Sequence, residues 1–206
     1  MINHKYKPFN LLKERNGKRI QQAELATHKK TVILKSYPLG QSDSIANEIK
    51  VFEKLKEPHL NGFPEIQEVF ESDGRLYLVL QQLGPNIEFL RLQCGGRLSL
   101  KTTLTIGIQL IERLQCLHSS GILHGEIKPD NLLVGLGPKL KHKIYLIDFE
   151  LSHPYMVKGK HIEEENQDTF SGSIQFSSAH ANSKKNISRR DEIESLLYCM
   201  IYLLKG

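Results

Sequence analysis

Little in this 206-residue sequence suits an extracellular or membrane-bound setting. The cysteines are Cys94, Cys116 and Cys199. An odd number with no Cys-x-x-Cys pair suggests neither a disulfide framework nor a zinc site. Each lies in or beside an apolar segment, so the expectation is a small hydrophobe in a reduced compartment. Long hydrophobic runs are also missing. The most apolar stretch, Ile193 to Leu204, contains Glu194 and falls short of the about 20 residues that a spanning helix needs. The N-terminus, MINHKYKPFNLLKERNGK, has no apolar leader core and no small-residue cleavage site. Internal repeats and low-complexity tracts are absent as well. These absences predict a soluble, intracellular protein, cytoplasmic with the nucleus as a second compartment, and no membrane partner.

Hydrophobic residues make up 39% and charged residues 25% of the chain, close to the average for globular proteins. The length suits one domain or a tightly joined pair of lobes. The net charge is +5 and the pI about 9.0, which favours anionic partners such as phosphates or acidic peptides. The basic residues are dispersed, and Glu163-Glu164-Glu165 interrupts them. No nucleic-acid partner is expected.

Residues 1–80 read mostly as strands. Thr31 to Lys35 is short and β-branched, with Pro38 and Gly40 as punctuation. Gln41 to Ser44 offers helix caps, and Ile45 to Lys56 carries apolar residues at 45, 49, 52 and 55, ending at Pro58 and Gly62. Two further strand-like runs, Glu65 to Phe70 and Leu76 to Leu80, flank a Ser72-Asp73-Gly74 turn. Beyond Leu83-Gly84-Pro85 the character becomes helical. Over residues 100–118, Leu100, Leu104, Ile108, Ile111, Leu114 and Leu117 form one apolar stripe, and Gly121 supplies a stop. A polar loop (124–131) and two short strands (132–134 and 143–147) follow. The loop at 150–187 is longer than passive connections usually are. The last helix begins at Ser188 and is apolar nearly all round from Ile193, which predicts burial on every side.

The chemistry concentrates in His124-Gly125-Glu126-Ile127-Lys128-Pro129-Asp130-Asn131, followed 17 residues after Asn131 by Asp148-Phe149. This order resembles a protein-kinase catalytic loop and metal-binding loop. Upstream, Lys35 ends a Val-Ile-Leu-Lys strand and Glu48 lies on the following helix. The segments LGPNIE (83–88), KPDNLLVGLG (128–137), FSGSIQFSS (170–178) and SRRDEIESLLYCMIYLLKG (188–206) are similar to those of the casein kinase I family. The resemblance implies an α+β, bilobal protein-kinase fold with a small β-rich N-lobe carrying one helix. Its boundaries would be 1–80 for the N-lobe, 81–85 for the hinge and 86–206 for a mostly helical, incomplete C-lobe. It also implies ATP and Mg2+ as cofactors, and a protein substrate or regulated protein partner. Lys35 and Glu48 would serve the α/β-phosphates, and Leu80, Gln81 and Leu83 the adenine side. Asn131 and Asp148 would hold the metal, Glu126 would stand as base and Lys128 beside the transferred phosphoryl. His124 and Phe149 would form a hydrophobic spine, and Asp191 would anchor the catalytic-loop backbone.

Several positions depart from that family. Glu126 replaces the usual Asp, Gly125 an Arg and Glu150 a Gly. Glutamate tolerates a positive φ poorly, and its carboxylate either adds a ligand or repels nucleotide. The glycine-rich loop is reduced to Gly17, where Lys18 and Arg19 either compensate electrostatically or form a solvated turn. Ser173-Ile174-Gln175-Phe176 lacks the family's substrate-binding arginine. The chain ends after the large helix, so the resemblance predicts uncovered apolar surface there. These departures leave two readings, a weak serine/threonine kinase and an ATP-binding pseudokinase or scaffold.

Overall fold

The computed structural model describes residues 1–41, 43–55 and 61–206, with Ser44 described by its backbone alone. The expected cap at Ser42 and the helix end at Lys56 and Pro58 lie outside the described residues. Five antiparallel strands open the chain: β1 (Tyr6–Arg15), β2 (Lys18–Leu25), β3 (Lys30–Pro38), β4 (Ile66–Ser72) and β5 (Arg75–Gln81). They stand in the order β1-β2-β3-β5-β4. Two-residue turns join β1 to β2 at Asn16-Gly17 and β4 to β5 at Asp73-Gly74. All four turn residues have positive φ, between 50° and 78°, as a tight hairpin twisting with its strands requires.

Strand alternation gives the sheet two different faces. Val32 and Leu34 join Tyr6, Ala23, Tyr77 and Val79 in a small core on one side. Tyr37, Leu78 and Leu80 point the other way, into the main core. Lys35 shares that second face and opposes Leu78 in the register. The sheet therefore aims a lysine toward α1 (Asp43–Lys54). That helix buries Ile45, Glu48, Val51 and Phe52, with Leu55 just beyond its end, so one carboxylate sits on its apolar face.

After Gln81 the chain crosses to a helical body. It comprises α2 (Ile87–Gln93), α3 (Leu100–Ser119), α4 (Ala179–Asn182) and α5 (Arg189–Lys205). Asn86 caps α2 by accepting from the Phe89 amide, and Ser99 caps α3 by accepting from Thr102. Short strand pairs frame the loops between helices: β6 (Ile122–Leu123) with β9 (His153–Pro154), and β7 (Leu132–Val134) with β8 (Ile144–Leu146). The pair β10 (Met156–Val157) and β11 (Lys160–His161) gives structure to the long 150–187 segment.

Two helix expectations fail. In α3, Leu114 and Leu117 are buried, but Leu100, Leu104, Ile108 and Ile111 are exposed, Ile108 by 62%. The inward face is Thr103, Ile106, Gly107, Leu110, Arg113, Leu114 and Leu117. Gly107 belongs there because a Cβ would stand 2.8 Å from the Met200 sulfur, so α3 and α5 approach closely. Apolar residues occupy both sides of α3, and hydropathy selected the side lacking Thr, Gly and Arg. In α5, Leu196, Cys199 and Leu203 point inward, while Ile193, Leu197, Tyr198 and Ile201 are exposed. Expected burial on every side gives way to one buried face and one uncovered face. Cys94 is likewise exposed, whereas burial raises the Cys199 thiol's pKa far above its ordinary value.

Candidate active site

The buried Lys35 ammonium lies 2.8 and 3.0 Å from the two Glu48 oxygens and 3.1 Å from Asp148 Oδ1. The Lys35 side chain is 4% exposed. Burial depresses its pKa, but Glu48, Asp148 and Glu150 together outweigh that and raise it above the ordinary lysine value. For Glu48, burial prevails over Lys35 and raises the pKa. For Asp148, burial is overcome by Lys35 and then Lys18, and the carboxyl titrates far below its ordinary value. Carboxylate oxygens of Glu48, Asp148 and Glu150 lie within 4.8 Å of one another.

Asp148 itself takes the left-handed conformation, φ 73°, whereas Glu150 does not. The strain expected at Glu150 is therefore carried two residues earlier. Glu150 accepts from Lys18 and from the Tyr37 hydroxyl. Lys18 also lies 3.6 Å from Asp148 Oδ1, with its side chain 13% exposed. At that turn Lys18 is directed to the Asp148 and Glu150 carboxylates, while Arg19 is a solvated partner of Glu14. Asn47 of α1 donates to the backbone carbonyls of Phe149, Glu150 and Ser152 at 3.3, 3.2 and 2.6 Å. Helix α1 is thus tied to the Asp148 segment directly by Asn47 and, through Lys35, by Glu48.

Beside this cluster, Phe149 is fully buried and meets Phe52 and His124 edge-on, with 5.1 Å between centroids in each case. His124 Nδ1 accepts from the Glu126 amide, so its Nε2 carries the proton and donates to the Ile147 carbonyl at 3.0 Å. Burial lowers the imidazole pKa and keeps it neutral. Asn131 Nδ2 donates to the Glu126 carbonyl at 2.9 Å, and its own carbonyl accepts from the Ile147 amide at 3.0 Å. These bonds tie the catalytic-loop segment to the strand leading into Asp148. Glu126 Oε1 lies 2.6 Å from Lys128 Nζ and accepts from Ser173 Oγ at 2.9 Å. Gly125 has φ 84°, and a Cβ there would stand 2.4 Å from the Leu151 carbonyl oxygen. An arginine does not fit that backbone.

One expected role moves to a neighbour. Asp191 accepts from Ser178 Oγ and from the Ser188 amide and hydroxyl, closing the N-terminus of α5. The catalytic-loop backbone is held by Glu192, whose Oε1 accepts from the Gly125 amide at 2.9 Å. Its Oε2 lies 2.7 Å from His118 Nε2. Consecutive helical residues point about 100° apart, so the acidic pair shows in sequence but not the member that faces the loop. Sequence reasoning also missed Tyr37, Asn47 and the Ser173 contact, for which no periodicity or motif gave a signal.

On β5, Leu80 is buried and pairs with Ile33 in the register. Gln81 is half-buried, and Leu83 is buried with its carbonyl accepting from Gln82 Nε2 at 2.9 Å. Gln22 of β2 donates to Gln82 Oε1 at 3.3 Å, bridging sheet and connector. The structure thus gathers Lys35, Glu48 and Asp148 on one cluster, and Glu126, Lys128 and Asn131 on a second. Leu80 and Gln81 end β5, and Leu83 follows in the connection to α2.

A family profile described as the protein kinase domain matches residues 16–206. A Dictyostelium discoideum protein named a "probable serine/threonine-protein kinase" is 35% identical over 132 residues, 63% of this chain. The match spans 27% of that protein's length.

Proposed function

Because the chain belongs to the protein kinase family, we propose that it binds magnesium–ATP between its two lobes. We further propose that it acts as a serine/threonine kinase of casein kinase I type on protein substrates. The observation that carries this reading is the buried Lys35 ammonium shared by Glu48 and Asp148. A lysine so placed presents charge at the cleft only while α1 stays packed.

The donor set suits the cofactor. Asn131 and Asp148 offer hard oxygens, and magnesium is held by one or two such groups besides phosphate and water. Bound there, it would supply charge neutralisation across the triphosphate. Leu80, Gln81 and Leu83 would border the adenine. Lys35 would hold phosphate oxygens, and Glu48 would fix its position. Glu126 would accept the proton of the substrate hydroxyl, and Lys128, 2.6 Å from it, would offset developing negative charge. Glutamate reaches about one methylene further than aspartate, and a displacement of roughly 1 Å can cost ~100-fold in rate. Slow turnover follows.

A second reading, an ATP-binding scaffold that regulates a partner, draws on a specific contact. Glu126 already engages both Lys128 and Ser173. Transfer of labelled γ-phosphate to a casein-like protein, run for the wild type, Asp148→Ala and Glu126→Asp, separates the two. The kinase reading expects incorporation that Asp148→Ala abolishes and Glu126→Asp increases. Equal signal from wild type and Asp148→Ala refutes it. Nucleotide binding without transfer in any variant selects the scaffold.

A further inference from the structure

Glu150, where the resembling family carries glycine, and Lys18, beside the reduced glycine turn, hold opposite charges here, and those charges meet. Lys18 opens β2 directly after the Asn16-Gly17 turn, and Glu150 follows Asp148-Phe149. A lysine beside a hairpin tip ordinarily extends into water. Lys18 instead folds under the turn, pairs with Glu150 Oε1, and stands 3.6 Å from Asp148 Oδ1. It also lies 5.6 Å from the centroid of the Tyr37 ring, whose hydroxyl donates to the same Glu150 oxygen. The two ammonium groups, Lys18 and Lys35, face three carboxylates, Glu48, Asp148 and Glu150.

We propose that Lys18 is a phosphate-binding residue held in reserve. Without nucleotide it is the counter-ion of Glu150 and Asp148; with nucleotide it moves to the triphosphate. The inference rests on the nucleotide-binding reading above and adds to it a residue and an order of events. Three observations support it. The cluster already carries one more negative than positive charge, so a polyanion enters only if a cation turns to meet it. An ammonium on a flexible four-carbon stem makes that move without backbone change. The oxygens that Lys18 occupies belong to Asp148, which would hold the metal, and to its neighbour Glu150. Lys18 and a divalent cation are therefore alternatives on those carboxylates. In place of a glycine loop laying amides over the phosphates, the chain keeps a single mobile charge at the same place.

Exchange of this kind has a signature that a simple surface ion pair lacks. Removing Lys18 weakens nucleotide binding and strengthens binding of a divalent cation alone. Calorimetric titration of the wild type and Lys18→Met with magnesium–ATP, and separately with Mn2+ alone, tests it. Loss of a charge-assisted contact to phosphate raises the nucleotide dissociation constant about tenfold or more. The Mn2+ dissociation constant falls. Glu150→Gln provides a second variant that leaves the turn intact and releases Lys18, so nucleotide binding is kept while Mn2+ binding weakens. Unchanged nucleotide affinity in Lys18→Met overturns the proposal, as does a shift of both ligands in the same direction. Failure of the wild type to bind magnesium–ATP would sink the nucleotide reading itself. In that event the Mn2+ comparison still reports whether Lys18 guards the carboxylates.

Discussion

Replacing Lys35 by methionine should destabilise the fold far more than a surface lysine would. At 2.8 Å and an effective dielectric near 20, the gross attraction between Lys35 and Glu48 is about 6 kcal/mol. Desolvating the two charges offsets most of it, so the intact pair contributes little net stability. Removing one partner is different. Among the described residues, Lys35 is the one cation within ion-pair range of Glu48, which is fully buried. Asp148 would retain Lys18 at 3.6 Å; Glu48 would retain nothing. Stranding a buried charge costs about 3–5 kcal/mol. In a chain of this size that lowers the melting temperature by roughly 6–20 °C. Differential scanning calorimetry at pH 7 measures it directly. The double variant Lys35→Met/Glu48→Leu should recover most of the loss, because no lone carboxylate remains. The penalty of the single variant should also shrink as pH falls and Glu48 takes up a proton, a shift that burial already favours in the wild type. A single variant melting within 2 °C of the wild type would refute the reasoning, as would a double variant no more stable than the single.

Two further outcomes follow from packing and pairing. Glu88 accepts from Arg91 and from the Tyr202 hydroxyl, joining α2 to α5, and the Arg91 bond leads the causes that hold its pKa below the ordinary glutamate value. A depressed carboxyl contributes stability above its unfolded pKa, about 4.3, and loses it as pH falls through the lower folded value. The melting-temperature gap between wild type and Glu88→Gln should thus be full near pH 7 and close toward pH 3; a gap constant with pH contradicts the assignment. On α3, Leu110→Ala should cost about 2–5 kcal/mol in denaturant unfolding, whereas Ile108→Glu should stay within about 0.5 kcal/mol. Equal costs would mean that the inward face has been misidentified.

The contrast between those two α3 residues shows where sequence was informative. Strands β3, β4 and β5 were legible as short β-rich runs, the last two around an Asp73-Gly74 turn with a steric reason. Lys35 and Glu48 were legible because a strand face and a helix face each allow one direction, although β3 runs on past Lys35 to Pro38. The α3 stripe misled because both faces carry Leu and Ile, and the face that packs on α5 is chosen by the small Gly107 beside Met200. The resemblance points to Asp191, but Asp191 and Glu192 both begin a helix and both are buried; only the azimuth around α5 separates the cap from the residue that holds the Gly125 amide. The position of Lys18 was out of reach for a simpler reason. Its partner lies 132 residues away, and nothing local announces that contact.

The Asn47 amide has a bearing on ligand discovery. Its contacts to the carbonyls of Phe149, Glu150 and Ser152 fasten the segment to α1 from one side, while His124 and Phe52 enclose the ring from the other. A compound that must evict Phe149 to create its own space would have to break all of these contacts together. Chemistry aimed at this protein would do better to start from the Gln22–Gln82 bridge between β2 and the connection after β5, where a single 3.3 Å bond between two neutral amides is the obstacle.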